Sequence, residues 1–137
     1  MAQPGPRAEK RQEKMEAFKI AFFTERLQLT PDESKAFWPL YNQFEDERDG
    51  LKDKFDLEDK KLELLSDKEV EAAIMQHIEM EEQLVKLRRD YVRRFMEVLP
   101  VRKVALLQRI DRDFKVALLE EIKKRREARQ GGMPGRN

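Results

Sequence analysis

Between Phe37 and Leu65 the chain repeats at intervals of four and three residues: Phe37, Tyr41, Phe44, Arg48, Leu51, Phe55, Glu58, Leu62 and Leu65. Seven of these nine positions are apolar or aromatic, so one helical face runs through the whole segment. A strand changes face at every residue and cannot carry that spacing. A second run follows: Val70, Ile74, His77, Met80, Leu84, Leu87, Tyr91, Phe95 and Val98. Both stripes are narrow. Charged residues make up 42% of the chain and apolar ones 39%, too little apolar surface for a thick core. Long helices that bury one seam each are the expected solution.

Punctuation divides the stripes into four helices. The first is expected from about Ala8 to Leu27, with Met15, Phe18, Phe22 and Leu29 on one stripe flanked by Ala17 and Ala21. Thr30-Pro31-Asp32-Glu33 reads as a capping box with proline at the first helical position. The second helix then runs to Leu65. Pro39 is expected to kink it without breaking it, and Gly50 is a second weak point. Ser66-Asp67-Lys68-Glu69 is another capping box and opens the third helix, which Pro100 ends by forcing Leu99 out of the helical region. The fourth carries Val101, Val104, Leu107, Ile110, Phe114, Leu118 and Ile122 into a basic tail at Lys123. Leu29-Thr30-Pro31 aligns with Leu99-Pro100-Val101, a weak repeat that places Phe37, Leu40 and Phe44 against Leu107, Ile110 and Phe114. The whole is expected to be all-α, with a long second and third helix. Residues 1–8 and 130–137 read as disordered ends around a single domain, 9–129.

Charge is divided along the chain. Residues 1–87 hold 14 Lys and Arg against 21 Asp and Glu, a net of −7; residues 88–137 hold 15 against 7, a net of +8. Acidic and basic parts therefore attract one another, within a chain or between two, and a basic surface faces outward. The candidate contacts are Arg88, Arg89, Arg93 and Arg94, with Arg102, Lys103, Arg109 and Arg112. Arginine interleaved with Tyr91 and Phe95 suits nucleic acid in principle. The overall charge of +1 and the place of both aromatics on a buried stripe argue against it.

Catalytic chemistry has little to work with. Cysteine is absent, His77 is the single histidine, and Ser34 and Ser66 both sit at helix starts. No glycine-rich phosphate loop is present. Glu79, Glu81 and Glu82 point in different directions round a helix. A transition metal would have His77, Glu81 and the thioethers of Met75 and Met80, fewer than the three or four N or S ligands a tight site takes. The expectations are no enzyme, no cofactor, no metal, and a half-buried structural histidine. No run of 18 apolar residues occurs, so no membrane-spanning helix is expected.

The segment LQLTPDESKAFWPLYNQF resembles the LTxxQ helix start of the Spy/CpxP-like periplasmic proteins of Gram-negative bacteria. The closest subgroup is labelled periplasmic heavy-metal sensor, or sensor of an extracytoplasmic (ECF) sigma factor. The likeness rests on Leu29-Thr30-Pro31, Phe37-Trp38-Pro39, Tyr41-Asn42, the Leu65-Ser66 start with Glu69, and Val98-Leu99-Pro100 before Lys103-Val104-Ala105. It covers about residues 13–126. Glu33 stands in place of the motif glutamine, and Pro100 replaces the threonine of the second motif. The resemblance implies a thin hairpin bundle forming an antiparallel homodimer in the periplasm, its signal peptide removed; Met1-Ala2-Gln3 fits the remnant of a cleavage site. It implies an ATP-independent chaperone or holdase in envelope stress. The alternative is a regulatory accessory protein that binds a membrane stress sensor or anti-sigma factor.

Overall fold

The computed structural model describes residues 5–54 and 61–131. Among them are four α-helices and no strand: α1 Pro6–Leu27, α2 Pro31–Lys54, α3 Asp67–Val98 and α4 Val101–Gly131, with a 3₁₀ turn at Leu62–Leu64. The helices fall into two compact units, Met1–Pro31 with Val101–Asn137, and Asp32–Pro100.

Each helix end has a physical cause. α1 opens at Pro6, two residues ahead of the expected start, because proline at N1 is preset for a helix and the Gly5 carbonyl accepts from the Glu9 N–H at 3.0 Å. It closes on Gln28, which takes the left-handed conformation at φ 51° and ψ 51°. The Gln28 N–H donates to the Glu25 carbonyl and the Leu29 N–H to the Thr24 carbonyl, at 3.3 and 3.1 Å. Those two bonds form a Schellman stop built without glycine. α2 starts at Pro31 as its signature requires and continues through Pro39. The capping box before α3 is complete: Ser66 Oγ accepts from the Glu69 N–H, and the Glu69 carboxylate from the Ser66 N–H, both at 3.2 Å. Leu99 is extended at φ −131° and ψ 151°, as a residue before proline should be.

In the first unit α1 and α4 pack around Phe114. Its ring centroid lies 5.8, 5.7 and 5.5 Å from those of Phe18, Phe22 and Phe23. Phe23, Leu27, Leu29, Val104, Leu107 and Ile110 are buried. Lys103 reaches from the first turn of α4 and donates to the Gln28 carbonyl at 2.8 Å, a cation at the negative end of α1.

The second unit is an aromatic seam between α2 and α3. Phe37 meets Phe95 at 5.6 Å and Phe44 meets Tyr91 at 5.1 Å, so residue numbers fall on one helix as they rise on the other and the pair is antiparallel. Phe37, Tyr41, Tyr91 and Phe95 are almost wholly buried, and Leu99 is buried too. Arg48, the charged member of the α2 stripe, keeps its guanidinium 5.3 Å from the Phe44 ring centroid and pairs with Glu45 at 3.7 Å. Its stem thus serves as seam surface.

Several expectations need correction. The second helix does not run unbroken to Leu65: Leu62 is in a 3₁₀ turn, and Leu65 is extended, as entry to the Ser66 cap demands. Phe55 and Glu58 of that stripe lie outside the described residues. Among the described residues α3 and α4 span 32 and 31 residues and α2 spans 24. The basic tail beyond Lys123, whose order the sequence does not decide, is helical to Gly131, its good helix formers helped by an Arg125–Glu121 pair at 3.2 Å. On α1, Met15 is exposed, and Phe23 and Leu27 are buried instead. On α3, Ile74 and His77 are exposed while Ala73 and Met80 are buried. At about 100° per residue Ala73 and Met80 line up with Tyr91, whereas Ile74 lies about a quarter turn round the helix. Of the ends expected to be disordered, residues 1–4 and 132–137 lie outside the described residues; 6–8 and 130–131 are helical.

Candidate basic and apolar surfaces

The eight basic candidates divide evenly between the two units. Arg88, Arg89, Arg93 and Arg94 are exposed on the second half of α3. They surround the helix. Arg89 and Arg93, four apart, share the side opposite Tyr91 and Phe95, and Arg88 and Arg94 flank the seam. The Arg94 guanidinium lies 4.7 Å from the Tyr91 ring centroid, a cation on an aromatic face. The Tyr91 phenol is held above its ordinary value of 10.0, first by burial and then by the Glu47 carboxylate; Arg94 pulls the other way.

Arg102, Arg109 and Arg112 are exposed on α4, and Lys103 is not free to join them. Its ammonium is committed to the Gln28 carbonyl. Within its own unit Lys103 is a structural tie.

The motif residues that carry the resemblance are largely framework. Leu29, Phe37, Tyr41 and Leu99 are buried, Trp38 and Glu33 are half-buried, Pro31 opens α2, and Pro100 separates α3 from α4. Pro39 is exposed inside α2, Thr30 is exposed before it, and Ser66 and Glu69 cap α3.

His77 sits outside the seam with its side chain 48% exposed, and its Nε2 lies 2.9 Å from Glu81 Oε1. That is a surface pair one turn apart, not the half-buried position expected. Among the described residues no three His, Cys, Asp or Glu side chains gather where a metal ion could be held.

Two surfaces escaped the sequence reading. On α3 a second stripe of Ile74, Ile78, Val85 and Met96 is exposed, Ile74 at 52% and Ile78 at 45%. On α4, Val116 and Leu119 are 58% and 68% exposed. The α3 stripe keeps a helical spacing displaced round the helix from the core stripe, and Val116 and Leu119 are one turn apart on α4. A search for one apolar face per helix hides the second.

Comparison of the chain with family models, curated proteins and solved structures found no match. No helix among the described residues is long and apolar enough to cross a membrane.

Proposed function

We propose that this chain is a non-enzymatic, ATP-independent holdase of the Spy/CpxP-like kind, acting in the bacterial periplasm as an antiparallel homodimer. The observation that carries the reading is the outer surface of α3, where exposed Ile78, Val85 and Met96 lie beside exposed Arg89 and Arg93, with Glu82 the carboxylate among them. Unfolded chains present apolar segments and carboxylates together. A surface of single apolar side chains set among guanidinium groups meets both. Such contacts are individually weak and broken easily, which suits binding and release without nucleotide. The dimer part of the reading rests on the charge division, −7 before residue 88 and +8 after it, which favours copies lying head to tail about a two-fold axis.

The test is suppression of aggregation of a chemically denatured client at equimolar protein. The expected result is clear suppression that weakens in R89E/R93E and in Ile78→Ser. No suppression, or suppression indifferent to the charge reversal, rejects the holdase. Analytical ultracentrifugation tests the dimer separately: a monomer at all accessible concentrations rejects it.

A further inference from the structure

α4 carries a row that its packing against α1 does not use. Arg109, Arg112, Val116, Leu119, Lys123 and Arg126 follow one another at spacings of three and four, and all six are exposed. Two cations, two apolar side chains and two cations thus line one face over about 25 Å of helix. The row lies away from Leu107, Ile110 and Phe114, which face α1.

The distribution of carboxylates sharpens this. At about 100° per residue, a sector roughly 120° wide centred on Leu119 takes in Arg112, Lys115, Val116, Ile122, Lys123 and Arg126 and no Asp or Glu, while Arg109 lies just outside it, level with Glu127. The acidic residues of α4, among them Asp111, Asp113, Glu120, Glu121 and Glu127, all fall outside it. Two of them make ion pairs: Asp111, just outside the sector, with Lys115 at its edge at 3.7 Å, and Glu121 with Arg125 wholly outside it at 3.2 Å. A solvated face carries both signs. A face without anions, basic at both ends and apolar in the middle, is complementary to a continuous anionic surface with an apolar layer just beneath it.

We propose that this face of α4 is an interfacial membrane-binding helix for anionic phospholipid. Val116, Leu119 and Ile122 enter the boundary between headgroups and acyl chains. Arg112 and Lys115 at one end, and Lys123 and Arg126 at the other, lie along the phosphates with their stems against the apolar layer. The helix lies on the membrane and does not span it. A polyanion such as nucleic acid would use the four cations and leave Val116 and Leu119 idle; the lipid surface uses all six. The inference is independent of the holdase reading, which concerns α3.

Co-sedimentation of the full chain with vesicles tests it. Phosphatidylglycerol vesicles are compared with phosphatidylcholine vesicles at about 50 mM and about 500 mM salt, which shortens the screening length from above 10 Å toward a few ångströms. The expected result is binding to the anionic vesicles only, weakened by salt. Leu119→Ser and K123E/R126E should each weaken it by about tenfold or more. Leu119, Lys123 and Arg126 are exposed, so a thermal melt of each variant should match the parent. Equal binding to both lipids, or no binding to the anionic vesicles at low salt, overturns the proposal. So does full binding by Leu119→Ser, which would leave a purely electrostatic surface for any polyanion.

Discussion

The two halves of α3 share one periodicity and differ in outcome. From Leu84 onward the stripe is a seam: Tyr91, Phe95 and Leu99 are buried, and Phe37, Tyr41 and Phe44 of α2 lie within ring-contact distance. Before Leu84 only Ala73 and Met80 are buried, and Ile74, Met75 and Ile78 stand exposed. The spacing of apolar residues sets which sides of a helix are able to pack. It does not say whether anything lies opposite. Aromatic partners decide this in the second half, since each large ring brings 150–250 Å² of surface and a preferred tilt.

The largest expected effect is at the seam. Phe95→Ala removes a ring that touches Phe37, Tyr41, Phe44 and Tyr91. It should cost about 3–5 kcal/mol, enough to approach the whole stability of a small helical domain. Urea unfolding followed by circular dichroism measures it. A loss below about 1 kcal/mol would mean that the seam is not what holds α2 to α3.

The next effect is at the start of the exposed half. With few buried contacts there, the capping box carries more of the burden of fixing the first turn of α3. Ser66→Ala should cost about 1 kcal/mol and speed hydrogen exchange of the Glu69 amide, whose bond to Ser66 Oγ is lost. Exchange at Phe95 should slow or quicken only with global stability. If Ser66→Ala leaves exchange in the first turn unchanged, packing and not capping secures that end.

Much of this was legible in the residues. Thr30-Pro31 and Ser66 to Glu69 are helix starts whose chemistry is complete within four residues, so no distant partner was needed to read them. The proline at position 100 and the extended Leu99 are equally local. Phe37, Tyr41, Tyr91 and Phe95 were placed by spacing because each stripe is aromatic there. The misses are non-local. Phe22 and Phe23 are neighbours, and α1 has no internal reason to bury the second more deeply than the first; Phe114 and the rest of its unit decide that. His77 and Ile74 were placed on the α3 stripe by spacing, yet both are exposed while Ala73 and Met80 of the same half are buried. Of the eight basic candidates, Lys103 is tied to the Gln28 carbonyl. No sequence pattern announces a bond across 75 positions.

A smaller effect, opposite in sign, lies in α2. Gly50 is inside the helix, and a Cβ built on it meets nothing within 4 Å. Gly50→Ala should therefore stabilise the chain by about 0.5–1 kcal/mol, by lowering the entropy of the unfolded state and favouring the helix. The midpoint of urea unfolding should rise with no change in slope. A fall would reveal a need for glycine at that position that the open space around it does not suggest.

The smallest expected effect is the sharpest test of the comparison, because it sets an apolar residue of the first half against one of the second. Ile78 lies on α3 as Phe95 does, and both are large and apolar. Ile78 is 45% exposed and Phe95 2%. If burial within the chain were all that mattered, Ile78→Ser should change the stability of the isolated chain by no more than about 0.5 kcal/mol. The measurement is therefore made twice, at protein concentrations about a hundredfold apart. A negligible change at the low concentration, with a loss appearing only at the high one, would tie Ile78 to an interface between copies, since mass action stabilises a dimer as concentration rises. A large loss at both would show that Ile78 is packed within the chain, and the contrast between the two halves of α3 would fall.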